Sequence, residues 1–558
     1  MSVKKPAEYP GMYNSFKKIG LKKVRAFADW KLLLLLLLFL NVKLAIKIPA
    51  IILVYLLDVN FKFGFSFKNS RLPLFYPVII VIGLIAVIIN KDYSAPNYPL
   101  VLGIGVLFWM LCILAIHQVK LSVEKSEVAV IHQTLLIFFI VNAVFSLFNL
   151  VAILAEIGIT NPYTYRGQYQ KYFLSTGDFI KGLTFDTSTN NAIISAFGVI
   201  YYFTLKKPVM LLVCMVVLLL TGSNFTNLAL LLILIPLLVF KSNRDQKSLL
   251  MVCGMLFIVF MTKISPENNK YVVDTFKNIA HIKNPPAKPD TLPIPLTLRA
   301  DSTLDHEEKR QKLAMLYLDS LSAQQTAPVR PAVAKKVFTT DAGRVFIPQP
   351  SIHTPPFQGL KVTPAGQIPL VKFISAHKKE LHLAAQAEVN TTLPGKLQGH
   401  LQTLRFFIQH PAKILTGDGM GNFSSKLAFR ASGIGVTGTY PAKYVYIDPD
   451  FKANHLDLYL EFFSKRGDYH SLTHSPFSVY DQMLGEYGLL GLAALFVLYI
   501  AFFARHYKQL TYGIPIIALV LIIFFIDYWF EQLSVLVLFE LLLFLNIKEG
   551  QKPVDYAD

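Results

Sequence analysis

Apolar residues run in long blocks along this chain, and the polar stretches between most of them are short. "YPVIIVIGLIAVII" (76–89) and "YGIPIIALVLIIFFI" (512–526) are typical. Neither alternates with a period of two, and both are apolar on every side. Blocks of roughly 17–25 such residues are long enough to cross the hydrocarbon core as helices. The pattern predicts spans at about 28–42, 44–57, 73–90, 98–117, 128–157, 187–205, 208–221, 223–240, 248–264, 483–505, 511–529 and 531–546. The first two are short and meet near Asn41–Lys43, so they also read as one broken span.

Charge orients these spans. Of the 558 residues 53% are hydrophobic and 16% charged, below the quarter or so expected of a soluble chain. The net charge of +19 does not call for nucleic acid, because short cytoplasmic loops of membrane proteins accumulate Lys and Arg. Loops 59–72 (Lys62, Lys68, Arg71), 118–127 (Lys120, Lys125), 205–208 (Lys206, Lys207), 241–248 (Lys241, Arg244, Lys247) and 505–510 (Arg505, Lys508) are of this kind. The expected fold is an all-α polytopic membrane protein of about twelve transmembrane helices, both termini inside, with one large outer loop between the ninth and tenth.

The expected organisation has five parts. Residues 1–27 form a basic cytoplasmic arm on anionic lipid, not a removed signal peptide. The first nine spans occupy 28–264, the outer loop 265–482, the last three spans 483–546 and a cytoplasmic tail 547–558. Within the loop, 283–393 is a Pro-rich, loosely ordered insert with helical spacing only at 302–324. Residues 394–482 are mostly helical: "LPGKLQGHLQTLRFFIQHP" reads as an amphipathic helix stopped by Pro411, and 455–465 as a second helix.

Candidate chemistry changes this picture at a few positions. His474 sits just ahead of the tenth span, at outer headgroup level, where a neutral imidazole can take a proton from a hydroxyl near neutral pH. Ten of the thirteen histidines lie between 265 and 482, and the plain alternative is a hydrogen-bonded surface histidine. Arg166, Lys181, Arg405 and Arg430 are outer-face cations that the charge rule does not explain, and arginine's planar fork suits a diphosphate. "GDGMGNF" (417–423) is a poor nucleotide loop, with no strand before it. Asp448 and Asp450 have metal-ligand spacing but read more simply as a turn. The cysteines, Cys112, Cys214 and Cys253, all lie in apolar blocks, which removes disulfide and thiolate-metal frameworks. No metal and no cofactor is expected.

Several segments taken in order carry a resemblance. They are a basic residue followed by "GLTFDTSTNNAIISAFG", a span boundary "LLLTGSNFTNLALLL", a large outer loop, "FFIQHPAKILTGDGMGNF", and "HSPFSVYDQMLGEYGLLGL" with His474, Glu486, Gly488 and Gly491. This order resembles the O-antigen ligase and O-antigen polymerase superfamily of bacterial envelope glycosyltransferases. Ser475 stands where that family usually has Asn, the His474–Gly488 spacing is longer, and Ser223-Asn224 replaces a frequent Ser-Arg. The resemblance implies a multi-pass inner-membrane protein with its large loop in the periplasm. It implies metal-independent, inverting transfer of a glycan from undecaprenyl diphosphate to a lipid A-core or growing-glycan hydroxyl. His474 would be the base, and Arg430, Arg405, Arg166 and Lys181 would hold the diphosphate. Glu486 would cap or pair at its helix start, and Gly488 and Gly491 would permit close helix packing.

Within catalysis, a polymerase and a ligase acting on protein hydroxyls stay open. Outside it, a polysaccharide exporter or lipid-linked flippase would show paired repeats and broken or charged spans. The sequence pattern displays neither; His132 and Asn142 in the fifth span look isolated. A scaffold that recruits envelope enzymes through the insert is the remaining class.

Overall fold

The apolar blocks fold as helices in a computed structural model. It describes residues 27–41, 43–158, 160–164, 180–185, 187–240, 242–266, 296–299, 312, 339–341, 344–346, 394–432, 444–456, 458–459 and 475–551. The basic arm before residue 27, most of the insert, the predicted helix 302–324 apart from residue 312, and the tail after 551 lie outside these residues.

The first nine apolar helices are α1 (Trp30–Phe39), α2 (Leu44–Leu57), α3 (Phe75–Asn90), α4 (Tyr98–Lys125), α5 (Val128–Ile157), α6 (Ser188–Thr204), α7 (Pro208–Leu220), α8 (Asn224–Phe240) and α9 (Arg244–Val259). The last continues through a wider π turn, Phe260–Ile264. In the insert, β1 (Thr339–Asp341) pairs antiparallel with β2 (Arg344–Phe346), Thr340 opposite Val345. This hairpin has no counterpart in the all-helical expectation. α10 (Gly395–Gln409), α11 (Lys426–Ala431) and α12 (Pro449–Asn454) follow. The chain ends in α13 (Val479–Ala494, helical on to Ala504), α14 (Gly513–Ile523), α15 (Trp529–Gln532) and α16 (Ser534–Gly550).

Among the described residues, four helices are long and apolar enough to cross a membrane: α4, α5, α9 with its continuation, and α13. α1, α2, α3, α7, α8 and α14 are apolar but shorter. α6 and α16 are buried along nearly their whole length and form the centre. The outer helices bury one side and present the other: Leu56 is 72% and Ile88 68% exposed. An apolar core inside an apolar exterior suits lipid as the surrounding solvent, since a soluble monomer rarely exposes apolar patches of this extent.

Local chemistry sets the helix ends. Asp29 caps α1 by accepting from the Leu32 N–H, Thr187 caps α6, and Asn243 with Gln246 forms a capping box on α9. α1 and α2 are separate helices joined at Asn41, whose Oδ1 accepts from the Lys43 N–H. Lys31 Nζ lies 3.0 Å from Asp58, so the two run back alongside each other.

Two sets of contacts join distant segments near the helix ends. In one, Asp58 also pairs with Lys125 at 2.7 Å, Arg71 pairs with Glu124, and Ser126 donates to Asp29. Lys548 donates to the Val123 carbonyl, His132 lies 2.8 Å from Glu549, and Gln246 donates to the Phe203 carbonyl. In the other, Asn90 donates to the Asp418 carbonyl, Asn97 to Val445, Asn161 to Ile264 and Tyr163 to Leu220. His132 and Asn142 are therefore not isolated: the first meets Tyr201 and Glu549, the second donates to Asn191.

Candidate functional site

The tenth predicted span starts earlier than its hydropathy implied and is broken. α13 begins at Val479, and at Gly488 its backbone leaves the helical region, with φ 64° and ψ −162°. A break frees carbonyls before it and N–H groups after it, and these cannot be left unpaired away from water. The segment after α10 meets them. Asp418 and Gly419 donate their N–H groups to the Gly485 and Glu486 carbonyls at 2.9 and 3.0 Å. Leu489 and Leu490 donate theirs to the Ile414 and Leu415 carbonyls at 2.9 and 3.1 Å. "GDGMG" is thus a backbone clasp on a broken helix. Its glycines take positive φ: Gly417 74°, Gly419 105° and Gly421 76°.

The clasp reassigns the residues that carry the resemblance. Gly488 does not permit helix-on-helix packing; it is the break itself. Gly491 lies against its own helix, where a Cβ would meet Tyr487 Cβ at 2.2 Å and the Met483 carbonyl at 2.9 Å. Glu486 does not cap the helix start, which is seven residues away at Val479. It is buried just before the break and accepts from the Phe423 N–H at 3.4 Å.

Carboxylates crowd beneath the clasp. Asp418, Asp448 and Asp450 bring one oxygen each within 4.8 Å of one another, and the Asp92 charge acts on the same group. Lys413 occupies the cation position among them, pairing with Asp418 and, at 2.8 Å, with Asp450. Burial pulls its ammonium down, but the two carboxylates outweigh burial and hold it above the usual lysine range. Burial, then Asp448, pushes Asp92 up to about 7. Burial and neighbouring carboxylates raise Asp418 and Asp448 as well. The Asp-x-Asp pair also has a local role: Asp448 caps α12 by accepting from the Asp450 N–H at 2.7 Å.

A second buried group ties α10 to the last spans. Lys396 Nζ donates to the Ser475 carbonyl (3.1 Å) and Oγ (2.9 Å), and to the Phe477 (2.6 Å) and Ile526 (3.1 Å) carbonyls. Burial pulls this lysine down to about 7, with Asp527 and Asp481 opposing. Four oxygen acceptors around one nitrogen fit the ammonium better than the amine. On the same face, Thr403 donates to Asp481 at 2.6 Å, and His455 lies between Gln402 and Asp481. Burial holds His455 down at about 4, so it is neutral at pH 7.

Of the predicted site residues, His474 and Arg166 lie outside the described residues, as does His470. Arg405 is on the exposed side of α10. Lys181 precedes the short turn Gly182–Thr184, which hydrogen-bonds to Asn142 and Asn149 of α5. Arg430 lies in the last turn of α11, half-buried, and its buried Nε has no hydrogen-bond partner. Its charge acts on Glu531, which in turn accepts from Gln482 at 2.6 Å. Among the described residues the Arg430 charge reaches Glu531, while Arg405 lies on the exposed side of α10.

Lys396, Lys413, Thr403 and Asp92 escaped the sequence reasoning. For Lys396 a signal existed: it falls in phase with Gly399, Thr403 and Phe406 on the buried stripe of α10. Asp92 meets Asn422, which donates to it at 2.8 Å, only through tertiary folding, and no spacing announces it. No protein-family model, curated protein or solved structure matches this chain.

Proposed function

We propose that this protein transfers a glycan from undecaprenyl diphosphate to an acceptor hydroxyl at the periplasmic face of a bacterial inner membrane, as an O-antigen ligase-like enzyme. In this reading it has twelve spans and both termini in the cytoplasm. The contact group that includes Lys31, Arg71, Lys125 and Lys548 faces inward. One observation carries the proposal. Segments 406–423 and 474–492, which carry the resemblance, are joined backbone to backbone at a broken helix, through residues 414–419 and 485–490.

The chemistry follows from charge and position. Arg430 would stabilise the diphosphate as the glycosidic bond breaks. Lys181, Arg166 and Arg405 are further candidate cations from the loops. His474 would take the proton of the acceptor hydroxyl during in-line attack with inversion. A lipid-borne donor and a water-side acceptor meet only at headgroup level, where this reading puts His474; the next residue, Ser475, is hydrogen-bonded to Lys396.

The test is transfer in membranes from a labelled undecaprenyl-diphosphate glycan, normalised to protein level. His474→Ala should accumulate normally and lose roughly 10²–10⁴-fold, the usual contribution of a positioned base. Arg430→Ala should lose donor binding and transfer together, and Arg430→Lys should recover only part, because a point charge lacks the fork. Loss with His470→Ala instead of His474→Ala would shift the base to His470. No change in either removes the general-base reading. The glycan profile of a deletion strain separates ligase, which loses all long chains, from polymerase, which keeps one repeat per core.

A second reading gains from the structure. A span broken at Gly488, and Glu540 buried inside α16 beside Tyr76, are features expected of an exporter or flippase. Movement of the lipid-linked glycan across proteoliposomes without any covalent transfer would favour it.

A further inference from the structure

α10 carries an apolar stripe on its outside. Leu397, Leu401, Leu404 and Ile408 recur every three or four residues, so they share one face. All four are exposed, Leu404 by 51% and Ile408 by 81%, and together they form a row about 17 Å long. The side turned inward carries Lys396, Gln398, Gln402 and Thr403 as well as Phe406 and Phe407. A helix lying between protein and water does the reverse, burying its apolar stripe and wetting its polar one. Single apolar residues on a surface need no partner, but a contiguous row of them does.

The position of α10 identifies that partner. Its first turn is tied to the end of α14, where Lys396 donates to the Ile526 carbonyl and His400 stacks on Phe525. Its middle packs on the first half of α13, where Thr403 donates to Asp481. That half folds off the axis of the second. An unbroken helix would hold residues 480 and 496 about 24 Å apart, yet the Tyr480 and Phe496 rings stack at 6.1 Å. α10 therefore lies along the bent part of the span, not beyond it in water. The apolar exposure also continues past the helix. Leu415 is exposed and accepts from Leu490, which is exposed in turn, as are Leu489, Phe496 and Val497 further along α13. This is the face that a membrane-crossing helix turns to lipid. Arg405 flanks the stripe, where a long cationic side chain reaches headgroup phosphate. We infer that α10 is an interfacial helix, with the stripe Leu397–Leu401–Leu404–Ile408 covered by the acyl chains of the bilayer. The inference rests on the membrane assignment alone, and an enzyme and an exporter would be seated alike.

The test attaches a nitroxide to Leu404→Cys, Ile408→Cys and Gln409→Cys, one at a time, in the full-length protein in nanodiscs of phosphatidylethanolamine and phosphatidylglycerol. Cys112, Cys214 and Cys253 are buried, and wild type treated with the label supplies the background. Each nitroxide is relaxed by collision with oxygen, which concentrates in lipid, and with a nickel chelate, which stays in water. Oxygen should dominate at 404 and 408, and the chelate at 409, an exposed position off the stripe. Thermal unfolding checks that each variant is folded, and Leu401→Cys, on the same face, takes the place of either stripe variant that is not. Dominance of the chelate at all three positions would put the stripe in water and overturn the inference. So would shelter of 404 and 408 from both reagents, which means a cover of protein. Shelter that persists with one copy per disc would assign the cover to another segment of this chain, and shelter that needs two copies would assign it to a second molecule.

Discussion

Gly417 and Gly488 lie back to back where the clasp crosses the broken helix. A methyl group on Gly488 would stand 2.6 Å from the Gly417 amide nitrogen and 2.4 Å from the Leu415 carbonyl oxygen. Neither neighbour is a side chain that can swing aside.

Gly488→Ala should therefore fail to accumulate as a folded, monodisperse protein in detergent. The positive φ alone costs on the order of 1 kcal/mol, and the backbone collision adds to it. Gly103→Ala, in α4 with nothing within 4 Å of the added atom, is the control and should match the wild type or melt slightly higher. Equal yields from the two variants would mean that the clasp is not formed.

Lys396→Met keeps the length of the side chain and removes the ammonium. The Ser475, Phe477 and Ile526 carbonyls then lose a shared donor inside the protein. A loss of roughly 1–3 kcal/mol is expected, the cost of leaving buried neutral acceptors unsatisfied. Thermal unfolding should show a clear drop in midpoint, and an unchanged midpoint would contradict the cage.

Asp92 predicts a pH dependence with a definite sign. Its carboxyl is raised from an ordinary value near 3.8 to about 7, so the folded state holds the proton more tightly than the unfolded chain. The stability it supplies is full below about 3.8 and is lost as pH rises toward about 7. His455, held down at about 4, acts the other way, losing stability as pH falls from about 6.5 to 4. The readout is therefore the difference between wild type and Asp92→Asn, which leaves His455 in both. Asp92→Asn should gain in relative melting temperature between pH 5 and pH 8. A difference that does not change across that range would refute the raised carboxyl.

Orientation is testable without any assay of activity. A reporter active only outside the cytoplasm should work when fused near residue 300 and stay silent near 245 and 550. Activity at 245 would reverse the assignment of ends and move every proposed catalytic group to the wrong side.

The helices were legible because lipid-facing and core positions are both apolar, so whole blocks stand out from the loops. What hydropathy cannot register is a break within a block. "GEYGLLGL" reads as continuous helix, because the signal for Gly488 is a positive φ imposed by Leu415 and Gly417, about seventy residues earlier. The same holds for "GDGMG", whose glycines suggest a ligand loop until their partner carbonyls are seen to be Gly485 and Glu486. Parity makes Arg430 an expected outer cation but says nothing of its company: Glu531 sits inside an apolar block and reads as the start of a span. His474 stood out by position alone, and position does not reveal contacts.

The clasp also fixes an order of assembly. Residues 414–419 leave the ribosome before 485–490, and each set of backbone groups completes the other. In the proposed orientation the earlier segment must already have crossed when α13 enters the bilayer, or four hydrogen bonds of the broken helix are left open in lipid. The segment that carries the clasp is therefore not a detachable soluble domain. Made by itself, it would present the Ile414 and Leu415 carbonyls and the Asp418 and Gly419 N–H groups to water, and it would have no template on which to close.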